Sequence, residues 1–137
     1  DVPMYVVRSI FVCLGSKLTC FAGGGMPMSR NRTKWPIGGG AVSIQPGWFP
    51  GHSLALFYIN MGYGNEPLNY SHTMLPVFQI VGPSNQQYAG QFCLPQVPLP
   101  ANYTPKVGDN ATIQVIETAQ HGAALYNVRI LQSGFLL

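Results

Sequence analysis

The sequence predicts an all-β protein, built as an antiparallel β-sandwich. Three observations point there. No stretch of ten or more residues keeps a clean 3.6-residue apolar period with good helix formers. Sixteen glycines and twelve prolines are spread through 137 residues and break the chain into short pieces. Between the breaks lie apolar runs of strand length, some alternating and some apolar on both faces. Short strands at this spacing, separated by Gly/Pro turns, suit a sandwich with one core of its own.

Taken in order, residues 1–25 fit the rest poorly. Val6-Val7 and Ile10-Phe11-Val12 allow one strand, but no cap or clear turn partner accompanies them. Residues 30–36 read as a polar turn closed by Trp35 and Pro36. Ile37 leads into a glycine triplet, and residues 41–44 are a strand candidate. A Pro- and Gly-rich loop, 45–52, carries Trp48, Phe49 and His52. Residues 54–59 are apolar on both faces, as a central strand would be. Residues 62–70 form a long turn, and 75–81 a further strand with Pro76 near its start, where a missing N–H is tolerable. After a loop at 82–90, residues 91–95 give a short strand that holds Cys93 and ends on proline. Ile113 and Val115 then alternate with Thr112 and Gln114, between turn residues at 108–110 and 119–122, so 108–127 closes as a hairpin.

Apolar residues make up 47% of the chain and charged residues only 8%, so a solvated helical protein is a poor fit. The seven basic residues are scattered and the net charge is +3, too thin a basic face for nucleic acid. Four Asn-X-Ser/Thr sequons, at Asn31, Asn69, Asn102 and Asn110, suggest a secreted, glycosylated protein. No initiator Met and no convincing signal peptide are present, so a leader has been removed or the chain is a fragment. No apolar run is long enough to span a membrane. Cys13, Cys20 and Cys93 are an odd set for an oxidising compartment.

No enzyme signature stands out. There is no Gly-x-Ser-x-Gly, no HExxH and no Lys-Ser/Thr after a glycine run. Cys93, followed by Leu-Pro in a strand, suits a disulfide better than a nucleophile. His52, at a loop-to-strand junction, is the best metal ligand. His72 reads as a solvent residue, His121 as part of a turn, and Asp109 as a turn-stabilising Asx residue. Met26 and Met28 read as packing.

Trp35-Pro36, Phe92-Cys93-Leu94-Pro95, the 108–117 strand and Ala124-Leu125-Tyr126-Asn127 follow one another in an order that resembles a known family. It is the copper acquisition factor BIM1-like family, fungal proteins of the lytic polysaccharide monooxygenase-like X325 type. The resemblance covers roughly residues 24–127. It implies an immunoglobulin- or fibronectin-like sandwich over 24–137, with 1–23 as an atypical N-terminal segment. It implies copper binding without attack on polysaccharide, at the cell surface, with a glycolipid anchor to the plasma membrane and a copper transporter as partner. In the family an N-terminal His chelates copper through its amine and imidazole, a second His completes a nitrogen plane suited to Cu(II), and a carboxylate stands nearby. His52 aligns with the second His.

Both ends depart from that pattern. Residue 1 is Asp, and the family's Cys-Ala-Asp after Asn127 is replaced by Val128-Arg129-Ile130. Cys20 lies near the family's Cys-Gly-Gly, and Cys20 and Cys93 are the disulfide candidates that the resemblance leaves, with their partners open. The codons allowed at both boundaries fit splice signals, which would make residues near 2–23 and 128–137 translated intron; the genomic sequence tests this. The expectation is a non-catalytic copper-acquisition protein whose metal site is incomplete, with weak or absent copper binding. Two alternatives stand beside it. One is an oxidative enzyme acting on polysaccharide, which would need a flat aromatic face. The other is a non-metal glycan-binding or cell-wall module using Trp35 and Trp48 as stacking platforms.

Overall fold

The computed structural model describes residues 9–14, 17–23, 32–46, 51, 53–83, 88, 90–119 and 122–134. Nine strands make up its regular structure: β1 (Ser9–Leu14), β2 (Lys17–Gly23), β3 (Thr33–Pro36), β4 (Gly40–Gln45), β5 (Ala55–Tyr63), β6 (His72–Ile80), β7 (Phe92–Val97), β8 (Asn110–Ala119) and β9 (Gly122–Ser133). They form a four-stranded sheet in the order β2-β1-β4-β7 and a five-stranded sheet in the order β3-β9-β8-β5-β6. Every pairing is antiparallel except that of β3 with β9. Among the described residues no helix is long and apolar enough to cross a membrane. The expected all-β, antiparallel-dominated sandwich is therefore the architecture of the chain.

One core joins the two sheets. Val42, Ile44 and Val97 from the four-stranded sheet cluster with Trp35, Phe57, Ile59, Met61, Ile113, Val115, Tyr126, Val128 and Ile130 from the five-stranded one. The Phe57 ring meets Phe92 edge-on across the sandwich, with centroids 5.5 Å apart. Each large aliphatic or aromatic side chain buried this way contributes roughly 1.5–3 kcal/mol. β8 has buried residues on both faces, and it lies between β5 and β9. Its period-two pattern is therefore only half of its burial; at its start, around Thr112, the outer face lies beside Gly62 of β5, against which the 64–71 loop folds back. A Cβ on Gly62 would lie 2.6 Å from Pro67 Cβ, 2.7 Å from the Asn69 carbonyl oxygen and 2.9 Å from the Tyr70 ring. Only glycine lets the loop fold back so closely over the sheet.

Several expectations of the sequence are corrected. Residues 1–25, whose pattern allows one strand, give both β1 and β2, and β1 pairs with β4 from Ser9↔Gln45 to Cys13↔Ala41. Residues 30–36 are not simply a turn: Thr33–Pro36 pairs in parallel with β9 from Ile130 to Ser133. β7 does not end on Pro95 but runs to Val97; as an edge strand it tolerates a residue without an N–H. Pro76 sits inside β6 rather than at its start, again on an edge. β9 continues past Asn127 to Ser133, with Val128, Ile130 and Gln132 buried and Arg129 and Leu131 half-buried. The triplet that departs from the family pattern thus keeps strand alternation and fills the core.

Candidate functional site

His52, the residue expected to bind metal, lies outside the described residues, as does His121. The residues around them are placed. Gly51 holds φ at +99°, in the left-handed region open to glycine, and its carbonyl oxygen accepts from Leu54 N at 3.4 Å. Ser53 is buried and donates its hydroxyl to the Pro83 carbonyl oxygen. Gly82 lies over it: a Cβ there would meet Ser53 Cβ at 2.9 Å. These contacts fix the entry to β5. Ala55 pairs with Ala119, and Ala119 pairs with Gly122. The start of β5 and the junction of β8 with β9 therefore share one end of the five-stranded sheet. Glu117, two residues in from that end, is a fully buried carboxylate opposite Phe57 and Ala124. In sequence it closes an ordinary strand pattern, so nothing marked it; only the packing of both sheets makes it a buried acid.

The opposite end of the sheet is a knot of polar and aromatic groups. Arg32 Nη1 donates to the carbonyl oxygens of Ala111 and Ile130, 3.1 Å each, and Nη2 to that of Asn65 at 3.0 Å. Burial, and secondarily the positive charge of Arg129, pull the Arg32 guanidinium below its ordinary pKa, while Glu66 works in the other direction. Arg129 reaches Glu66 at 2.9 Å. Asn110 Nδ2 donates to Asn65 Oδ1. Asp109 accepts from Lys106 N at 2.8 Å, the turn-stabilising role its position suggests. His72 is not a solvent residue: it is half-buried and stacks on Tyr63 at 3.9 Å, which stacks in turn on Tyr103 at 4.0 Å. Burial raises the pKa of both tyrosines; the Tyr63–Tyr103 interaction adds to this at Tyr63 and Asp109 adds to it at Tyr103, where the nearby Gln132 side chain partly opposes.

The remaining candidates are dispersed. Cys93 is an exposed free thiol on β7. Cys20 belongs to β2, at the far edge of the same sheet, so two strands separate the backbones of the disulfide candidates. At the usual spacing that is about 14 Å, too far for them to bridge one another. Asn69 and Asn102 are exposed, Asn110 is half-buried, and Asn31 lies outside the described residues. Trp35 is wholly buried, against Gly40, and offers no stacking platform; Trp48, Met26 and Met28 lie outside the described residues. Among the described residues no three His, Cys, Asp or Glu side chains come together to hold a metal ion.

Residues 15–129 match the domain described as copper acquisition factor BIM1-like. The chain is 69% identical over 104 residues to a lytic polysaccharide monooxygenase-like protein X325 of Aspergillus fumigatus, covering 76% of this chain and 44% of that one. It is 68% identical over 104 residues to a lytic polysaccharide monooxygenase-like protein of Emericella nidulans, covering 76% and 43%. It is 54% identical over 109 residues to the lytic polysaccharide monooxygenase-like protein ham-7 of Neurospora crassa, covering 76% and 48%. The chain thus spans less than half the length of these relatives.

Proposed function

Because the chain belongs to the copper acquisition factor BIM1-like family, we propose that it handles copper as cargo, without catalytic turnover, outside the cell. The match over residues 15–129 carries this reading. The finer steps follow from it. His52 is the residue of this stretch that would meet copper, since a neutral imidazole suits Cu(II). In sequence it stands between Gly51 and Ser53, whose contacts hold the entry to β5. In this reading residues 1–137 bind copper weakly on their own, with His52 as the ligand assigned. A place at the cell surface, a glycolipid anchor and delivery to a copper transporter complete the proposal.

Calorimetric titration of residues 1–137 with Cu(II) tests it. Weak binding that falls further in His52→Ala is expected. Tight one-to-one binding, unchanged in His52→Ala, would overturn the assignment. Incubation with polysaccharide, copper and a reductant tests the oxidative alternative, for which oxidised chain ends are the positive result. The non-metal glycan-binding alternative has lost Trp35 to the core.

A further inference from the structure

We propose that Asn69 carries an N-linked glycan in the folded protein and that Asn110, an equally good sequon in sequence, does not. This rests on the extracellular reading above, since the donor, a lipid pyrophosphate-linked oligosaccharide, is met only on the secretory route. In the transfer the amide Nδ2 of asparagine bonds to the first sugar's anomeric carbon, loses a proton, and the lipid pyrophosphate leaves.

The two sequons differ in what the fold does with them. Asn69 is exposed in the 64–71 loop, beside the fully exposed Leu68. Its Oδ1 accepts from the Ser71 hydroxyl at 2.7 Å and from Ser71 N at 3.4 Å. Those bonds hold the oxygen side of the amide towards its own loop and leave Nδ2, the atom that takes the sugar, out of them. At Asn110 the arrangement is reversed. Its Nδ2 is the bonded atom, donating to Asn65 Oδ1. The backbone around it is also occupied: the Asn110 carbonyl oxygen accepts from Gly64 N at 3.0 Å, and Asn110 pairs with Leu131. Thr112, the third residue of that sequon, is fully buried between Gly62 and Arg129.

Transfer precedes folding, so the geometry acts by selection. A sugar on Asn69 extends into solvent and costs the fold nothing. A sugar on Asn110 Nδ2 must push away the Asn65 side chain at the point where the start of β8 meets the 64–71 loop, beside the Arg32 contact with the Asn65 carbonyl oxygen. Chains glycosylated there fold poorly and are lost from the secreted pool. Asn102 is exposed as well, with φ +62°, but Thr104 stands before Pro105, which restricts its backbone; the contrast therefore rests on Asn69 and Asn110.

Residues 1–137 expressed behind a yeast secretory leader provide the test, because the leader supplies the route whatever the native one is. Glycopeptide mass spectrometry of the secreted pool reads each site. Asn69 occupied and Asn110 empty is the expected result, with Asn69→Gln removing one glycan and Asn110→Gln leaving the glycan pattern unchanged. Asn110 occupied as fully as Asn69, or Asn69 empty, would overturn the inference. Absence of the native protein from both the cell surface and the medium would instead count against the extracellular reading.

Discussion

Arg32 Nη1 donates to the carbonyl oxygen of Ile130, 98 positions along the chain, at 3.1 Å. The same guanidinium ties in Ala111 and Asn65, so one side chain joins the approach to β3, two neighbouring strands and the 64–71 loop. A fork of this kind needs a planar group with several donors, which lysine lacks. Arg32→Ala is expected to lower stability by about 1.5–3 kcal/mol, the range for hydrogen bonds from a charged donor. Arg32→Lys should recover less than half. Urea midpoints of the three proteins check this, and equal midpoints would contradict it.

Gly62 is the second pivot of that end. Any side chain there meets Pro67, Asn69 and Tyr70 within 2.9 Å. Gly62→Ala should cost about 1–3 kcal/mol, as overpacking does, and should lift the 64–71 loop. Limited proteolysis is expected to cut within that loop in the variant and not in the parent.

The stack of Tyr63 on Tyr103 gives stability a dependence on alkaline pH. Both pKa values are raised above the ordinary 10.0 in the folded state, chiefly by burial. A raised folded pKa means that the folded state holds its protons longer than the unfolded state. The contribution is therefore full below pH 10 and is lost as pH rises through the higher folded values. Urea midpoints should fall from about pH 10 upwards, and Tyr63→Phe with Tyr103→Phe should flatten the fall. A parent midpoint that holds level through pH 11 would refute this.

The Arg129–Glu66 pair is expected to matter little. Glu66 is 79% exposed, and such pairs are worth about 0–1 kcal/mol. Glu66→Gln should shift stability by less than about 0.5 kcal/mol and the small shift should vanish at high salt. A salt-independent loss would show that the pair anchors the loop.

Phe57 lies fully buried in the middle of the core, stacked on Phe78 and edge-on to Phe92. Phe57→Ala should cost about 3–5 kcal/mol, measured by thermal or urea unfolding, and Phe57→Leu clearly less.

Residues 54–59 and 112–117 could be read as strands because each carries its own burial pattern, and those patterns depend only on neighbours two positions away. Phe92-Cys93-Leu94-Pro95 and Ala124 to Asn127 could likewise be tied to the copper acquisition family from their order alone. Pro95, which looks like a strand terminator, lies inside β7. A proline's cost in a sheet depends on whether the strand is at an edge, and strand order is not local information. The metal-site candidate His52 was legible as a residue at a loop-to-strand junction, whereas Glu117 was hidden inside a regular strand pattern.

The all-β class, the central strands and the family can all be read along the chain. These follow from period-two patterning, turn residues and ordered motifs, all carried along a single stretch of chain. The tertiary structure decided the rest. Thr33–Pro36 became a strand only because β9 runs on to Ser133 and offers it a parallel partner. Trp35 left the surface because Gly40 gives its ring room. His72 found Tyr63, and two equivalent sequons were separated by where their amides point. Each of these depends on residues brought together from distant positions, and only the packing of two sheets around one core specifies those meetings.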